Sequence, residues 1–309
     1  MSEPVYRLKN GRPEMQESFL IFIDILGYQS LTREAKTLAD QHAMLGRLHS
    51  ALSRHVPVLS RDDDPDFPPW YASRVFTDNI VLARPILGPG GEGESELGNM
   101  MLDAGLYQFN LALEGFYVRG GIAVGPAYVD ENVVFGPALI EAHDIEQERA
   151  VFPRIVLSDG AREYVKKHVS YYAGGATAAP HNNELLVDDD GEWFVNYVDA
   201  ARGDNDPDLL PDYERFVIKH RDSAVEQIET SRGNRRVLDK YLWVGRYHNY
   251  VAGYLYPGRT RLLVPEELLP RGFQRLHELL PPDEYGLGVK PRRPGKRAPR
   301  STARKTKKR

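Results

Sequence analysis

The chain contains no cysteine among its 309 residues. Disulfides, zinc–thiolate centres and a cysteine nucleophile are therefore excluded, and a reducing compartment fits. Long apolar runs are missing as well: none approaches the roughly 18–20 residues that a membrane span needs. The opening segment, MSEPVYRLKNGRPEMQES, is polar and carries no apolar leader core. A cytoplasmic protein without a membrane span is the expectation. There is no Walker-type phosphate loop and no Ser-His-Asp arrangement. His42, His49 and His55 fall on or near one predicted helix without the spacing of a metal pair, so surface or core roles are expected of them. Acidic residues vanish after Lys290, and the run to Arg309 contains neither Asp nor Glu. The formal net charge of −4 thus hides an acidic body and a basic end, and it does not identify partners. The basic tail has no interleaved aromatics. A solvated, disordered segment without a specific nucleic-acid target is expected, with non-specific attraction to phosphate left open.

The rest is ordinary for a globular protein: 41% hydrophobic and 27% charged residues, enough to build a sizeable core. The stretch Ser18 to Leu31, SFLIFIDILGYQSL, organises the reading. Phe19 to Ile25 is short, β-branched or aromatic, and closed by Gly27, which predicts a strand buried on both faces. Asp24 is set into the end of that strand. A carboxylate there is costly unless a metal, a cation or backbone N–H groups compensate it. The segment Ser73 to Leu82, SRVFTDNIVL, repeats the pattern with Asp78 and Asn79 in hairpin-turn chemistry. Two strand-end carboxylates meeting at one edge of a sheet would make a divalent-metal site. Taken singly, Asp24 also reads as an N-cap or salt-bridge partner, and Asp78 as a plain turn residue.

The pattern predicts a helix over Thr32 to Leu59, with Leu38, His42, Leu45, Leu48, Leu52 and Val56 at spacings of three and four. Arg61 to Pro69 reads as a loop, Trp70 to Arg84 as a hairpin, and Pro85 to Gly98 as a flexible linker. A helix is expected from Asn99 to Leu113 and a Gly-interrupted strand from Phe116 to Val129. Val133 to Phe135 and Pro153 to Leu157 read as short strands, with a helix between them from Gly136-Pro137 to about Arg149. A further helix begins near Ala161, and Tyr171 to His181 reads as a Gly/Ala-rich loop. Leu185 to Asp188 and Trp193 to Tyr197 form a hairpin, and two long helices follow from about Leu209 and Arg235. Trp243, Tyr247, His248 and Tyr250 are expected to pack the last helix on the domain. The order indicates an α+β or mixed α/β domain with a helical C-terminal addition.

With these residues in hand, a family resemblance is visible. FIDILGYQSL resembles the opening strand and phosphate loop of class III nucleotidyl cyclases, of the form F-x-D-[IV]-x-G-F-[ST]-x-[LM]. RVFTDNIVL resembles their second metal-binding hairpin. RGGIAVGPAYVDENVVFGPALIEAHDIE and PRIVLSDGA resemble the segments that follow, in order and approximate spacing, so that the match covers roughly residues 18–162. With KYLWVGRYHN added, the chain is most similar to the bacterial pyrimidine cyclases of Pycsar anti-phage systems.

The resemblance implies a ferredoxin-like α+β cyclase core, an antiparallel-rich sheet with helices on one face, plus C-terminal helices. It implies an N-terminal lead-in (1–17), a catalytic domain (18–200), a helical extension (201–260), a terminal segment (261–288) and the basic tail (289–309). It implies conversion of UTP, or second CTP, to the 3′,5′-cyclic monophosphate and pyrophosphate. Asp24 and Asp78, with the Ile25 carbonyl, would hold two divalent cations, Mn²⁺ or Mg²⁺. The turn Leu26-Gly27-Tyr28 would offer N–H groups to the β- and γ-phosphates at a helix start. Arg74 stands where related cyclases read the purine base, and its planar fork suits a pyrimidine carbonyl. A homodimer with sites at its interface is implied, and the product would be a messenger for anti-phage defence read by a separate effector.

The chain departs from the family where a transition-state Asn and Arg are usual: those positions hold Ile140 and Asp144. Arg119, Arg149, Arg154 and Lys240 are left as candidate replacements. Three alternatives stay open: a non-catalytic nucleotide-binding module of the same fold, a purine (adenylate or guanylate) cyclase, and a nucleic-acid-binding protein using the tail.

Overall fold

The computed structural model describes residues 5–6, 8–60, 70–87, 92–202, 210–265 and 273–276. The loop expected at 61–69 and the basic tail lie outside the described residues. A small hairpin at 8–13 leads into β1 (Gln16–Ile25), α1 (Tyr28–Glu34), α2 (Leu38–Ser60), β2 (Ala72–Phe76), β3 (Asn79–Pro85), α3 (Glu94–Leu113) and β4 (Val118–Val129). Then come β5 (Val134–Phe135), α4 (Pro137–Glu148), β6 (Ile155–Leu157), α5 (Asp159–Val169), α6 (His181–Glu184), β7 (Leu185–Asp188), β8 (Trp193–Val195) and α7 (Tyr197–Ala200). Helices α8 (Leu210–Thr230) and α9 (Arg235–Leu255) and strand β9 (Phe273–Arg275) complete the described chain.

The first strands run β4-β1-β3-β2, each antiparallel to its neighbour, with α2 and α3 in the two crossovers. This is the split βαβ, or ferredoxin-like, arrangement. It places β1 in the middle, which is why its residues form a nearly unbroken apolar run: Phe19, Ile21, Ile23 and Ile25 face one core cluster, and Leu20 and Phe22 face another. Beyond β4 the sheet continues through a parallel β6 and then antiparallel β8, β7 and β9. An α+β core with an antiparallel-rich sheet is therefore present.

The long helices α2, α3, α8 and α9 gather over the Phe19 face, as expected. One helix does not: α4 lies over the Leu20 face, with Ala138 and Ala142 buried there. Its close approach depends on Gly121 of β4, where a Cβ would come 2.3 Å from the Ala142 carbonyl oxygen. Two local expectations are corrected. The helix predicted over 32–59 is two helices, because the chain kinks between Glu34 and Leu38. The expected linker 85–98 is helical from Glu94, with acids Glu94 and Glu96 favouring the positive end of α3 and Gly93 at φ +64° preceding it. Its glycines had masked that start.

Helix α9 is anchored to the sheet by polar as well as aromatic contacts. Trp243, Tyr247 and His248 are buried and Tyr250 is half-buried. Trp243 stacks on Phe152 with centroids 5.6 Å apart, and its indole N–H donates to Asp188 at 2.6 Å. Asp188 also accepts from Arg246 of α9 and from Arg154, whose side chain is fully buried and reaches Asp190 as well.

A buried histidine pair lies between α8 and α9. His248 Nε2–H donates to the Leu262 carbonyl at 2.7 Å, so its Nδ1 must accept from His220 Nδ1–H at 2.9 Å. His220 Nε2 then accepts the Tyr197 hydroxyl at 3.0 Å. Every proton position is set, and neither ring has room for another. Burial holds His220 well below the usual range and pushes His248 from 6.5 down to about 4, with Arg221 adding to the latter and Asp222 opposing. Between those two pH values the unfolded chain binds a proton that the folded pair refuses. Stability is therefore lost as pH falls from about 6.5 to about 4, by about 3 kcal/mol from His248. Denaturant titrations of wild type and His248→Gln across this range should show a steeper fall for wild type. Parallel profiles would refute a pair held neutral.

Candidate functional site

The site forms where β1 ends. Asp24 lies opposite Asn79 of β3 and Arg119 of β4 in the ladder, and it points to the same sheet face as Leu20 and Phe22. Immediately after it the chain is pinned: Ile25 N–H donates to the Asp78 carbonyl at 3.2 Å and Leu26 N–H to the Tyr117 carbonyl at 2.8 Å. Gly27, at φ +78°, then turns the chain into α1. The Leu26 N–H is thus committed to the protein. Among the expected turn donors, those at Gly27 and at the start of α1 are the ones a helix N-terminus leaves without an intrahelical partner.

Asp78 sits in the tight turn between β2 and β3. The turn residues are Thr77 and Asp78, and Asn79 already belongs to β3. Thr77 adopts φ +57°, a left-handed conformation uncommon for a β-branched residue. Its hydroxyl lies 2.8 Å from Asp78 Oδ1, and Asn79 Nδ2 donates to the same oxygen at 3.3 Å. These contacts fix the carboxylate within its own turn, close enough to Asp24 to raise the Asp24 carboxyl.

Arg119 lies between two acids. Its Nε is 3.4 Å from Asp24 Oδ2 and 2.5 Å from Glu146 Oε1. Glu146, on α4, is completely buried, and Gln147 Nε2 donates to its other oxygen at 2.6 Å. Burial raises the Glu146 carboxyl above the usual range while Arg119 opposes the shift. Asp24 is pushed from 3.8 up to about 7, first by burial, then by Glu146 and Asp78, against the pull of Arg119. Two carboxyls on one guanidinium, with Asp78 beside the first, leave an excess of negative charge that a divalent cation would relieve.

The donor set fits such an ion. Asp24, Asp78 and a strand-end carbonyl are hard oxygen ligands suited to Mg²⁺ or Mn²⁺. Among the described residues no three His, Cys, Asp or Glu side chains are grouped so as to hold a metal by themselves. A backbone carbonyl such as that of Ile25, or substrate oxygens, would complete the set. The cavity in front of Asp24 has a volume of about 650 Å³ and is lined among others by Gly27, Tyr28, Asp78 and Arg119. That is room for a nucleotide-sized ligand.

Arg74 lies on the same sheet face as Asp24, further along β2, and does not line this cavity. Its Nη1 donates to the Ser73 carbonyl at 2.6 Å, its buried Nε has no hydrogen-bond partner among the described residues, and its charge helps to hold Asp130 below the usual carboxylate range. Ile140 and Asp144 are exposed on α4. Of the four cations left open as charge stabilisers, Arg149 is engaged with Glu192 and Asp159, and Arg154 with Asp188 and Asp190. Arg119 is at the site, and Lys240 of α9 is close enough to feel Asp24, Glu146 and Arg119.

Glu146 had escaped the sequence reading. A signal was present: it lies on the same stripe of α4 as Ala138, Ala142 and Ile145, where an acid on a buried face needs a reason.

No protein-family model matches the chain, and no curated protein matches it. Among solved structures, one that is similar is a class III adenylyl cyclase-like ATP-binding protein from Pseudomonas aeruginosa. It is 15% identical over 53% of this chain, with a TM-score of 0.39, and this chain spans 39% of its length. No described helix is long and apolar enough to cross a membrane.

Proposed function

We propose that the chain is a nucleotidyl cyclase that converts a pyrimidine nucleoside triphosphate to its 3′,5′-cyclic monophosphate. The observation that carries this reading is the meeting of Asp24 and Asp78, from segments far apart in sequence, at the open end of a buried strand beside the turn into α1. The motif resemblance over residues 18–162 supports the same reaction. In it the ribose 3′-oxygen attacks the α-phosphorus, the bond to the β-phosphate oxygen breaks, the hydroxyl proton leaves to solvent and pyrophosphate departs. Bound divalent cations would supply nucleophile activation and charge neutralisation. Asp24 and Asp78 would hold them, Arg119 would neutralise charge beside Asp24, and the turn at Gly27 would orient the phosphates.

Arg74 would contact the base, favouring UTP ahead of CTP. It would do so across a homodimer, since it lies outside the Asp24 cavity. The exposed apolar side chains Phe76, Val133, Phe135 and Ile140 support a covered surface near that face. The product would act in the cytoplasm as an anti-phage messenger read by a separate effector. A second reading, a nucleotide-binding module without catalysis, is favoured by Ile140 and Asp144 in place of a transition-state Asn and Arg.

Incubation of the protein with each of the four nucleoside triphosphates and Mn²⁺, with products identified by mass spectrometry, tests both. Cyclic UMP is the expected main product. A cyclic purine would discard the role given to Arg74. Tight nucleotide binding by calorimetry with no cyclic product would select the binding module.

A further inference from the structure

On the other side of the first turn of α1 lies a second cavity, of about 540 Å³, walled by that turn, by α2 and by the α8–α9 junction. Gly27 and Ser30 line both cavities, so the turn is a shared wall. Three cations face the second cavity: Arg47 from α2, and Arg236 and Lys240, which lie one turn apart on the same side of α9. Glu34 is the one acid in the lining. Among the described residues, none of the three cations is in an ion pair, whereas Arg54, Arg149, Arg154, Arg162 and Arg202 each have a carboxylate partner.

Lys240 is half-buried. Burial, then the charges of Arg119 and Arg236, hold its ammonium below the usual range, against the opposite pull of Glu146 and Asp24. Lys240 is thus partly desolvated beside the exposed Arg236, with the exposed Arg47 across the cavity, and cations gathered without a direct ion-pair partner are stabilised by a multivalent anion. The hydroxyls of Ser30 and Ser231 add neutral donors in the same lining.

We infer that Lys240, Arg236 and Arg47 form a polyphosphate subsite, which takes the β- and γ-phosphates of the triphosphate and then the pyrophosphate leaving group. The inference rests on the cyclase reading for the identity of the ligand, but the subsite itself is a property of the cation cluster. Its geometry requires the phosphate chain to pass over the Gly27 turn, from the Asp24 side to the α9 side. The helical segment after the sheet thereby contributes directly to the substrate site.

The test is calorimetric titration of the full chain with inorganic tripolyphosphate in the presence of Mg²⁺, with cyclase assays run in parallel. Lys240→Gln and Arg236→Gln are each expected to weaken binding by about tenfold, the loss of one charged hydrogen-bonding partner. Lys240→Arg should keep affinity within about threefold, because charge and reach are retained. Arg236 is exposed, so its replacement reports on binding even if Lys240→Gln proves poorly folded. Absence of tripolyphosphate binding by the wild type, or unchanged affinity in Arg236→Gln, overturns the subsite. Lost binding in the variants with no cyclic product from any wild-type reaction keeps the subsite and removes the cyclase reading. Cyclic product formed with unchanged kcat and KM in both variants does the reverse.

Discussion

Asp24→Asn is expected to abolish the proposed cyclic-nucleotide formation, by about a thousandfold or more, and at the same time to raise the thermal midpoint of the metal-free protein at pH 8. The first effect follows from removing a carboxylate whose charge would hold the cations, an interaction supplying several kcal/mol of transition-state stabilisation. The second follows from the state of Asp24 without them. Its pKa in the folded chain is about 7, above the ordinary 3.8. Between those values the folded chain keeps a proton that the unfolded chain has released, so stability falls as pH rises through this window and the full penalty applies above pH 7. Allowing for partial exposure and for Arg119 nearby, the penalty is about 2 kcal/mol. Asparagine carries no charge and escapes it, while Arg119 keeps Glu146 as a partner. The two curves should converge near pH 4. Melting scans at both pH values, with and without Mn²⁺, measure this directly. A variant that melts below wild type at pH 8 without metal would show that Asp24 is a structural ion-pair member and not a strained ligand.

Arg154→Met should lower stability by about 3 kcal/mol or more. Arg154 has no exposed side-chain surface and neutralises Asp188, which is itself 2% exposed, as well as Asp190. Removing the guanidinium leaves Asp188 buried with Arg246 at 3.3 Å as its remaining cation, beside the Trp243 indole and the Asp189 backbone N–H. For a chain of this size the midpoint should fall by roughly 5–10 °C. Adding Asp188→Asn should recover part of the loss, because the stranded charge is gone, and the double variant should be less destabilised than the sum of the singles. Additive losses would locate the effect in packing alone. Since Trp243 and Arg246 belong to α9, the same variant should loosen the helix that carries Lys240, with hydrogen exchange in α9 rising before that in β1.

These residues also show how far the sequence could be read. The unbroken apolar run from Phe19 to Ile25 identifies a strand buried on both faces, because only a central strand must be apolar in both side-chain phases. The burial of Trp243 and Tyr247 was legible from their clustering on one side of a helical segment. The start of α3 at Glu94 was not, because glycines in PILGPGGEGESELG suggest a linker while the two acids suggest a helix N-terminus. The local signals conflict there, and packing of Leu97, Met100 and Met101 into the core decides for the helix. The turn at Thr77 was misread by one residue because Asp-Asn is the better turn pair in isolation, whereas the register set by Asp24 opposite Asn79 assigns Asn79 to the strand.

What the sequence determined by itself is local. It set the strand with Asp24 at its end, the Gly27 turn after it, the hairpin carrying Asp78, and an order of elements that indicates an α+β or mixed α/β domain, the ferredoxin-like core being what the motif resemblance implies. The tertiary structure alone decided which of these ends meet. Strand pairing brings Arg119 beside Asp24, and helix packing over Gly121 brings the buried Glu146 against Arg119. The return of α9 brings Lys240 to the far side of the turn. None of these contacts is encoded in spacing, because register and helix docking are set by hydrogen-bond ladders and core packing between segments remote in the chain. Charges placed together in this way change one another's energies only once folding has removed the water between them.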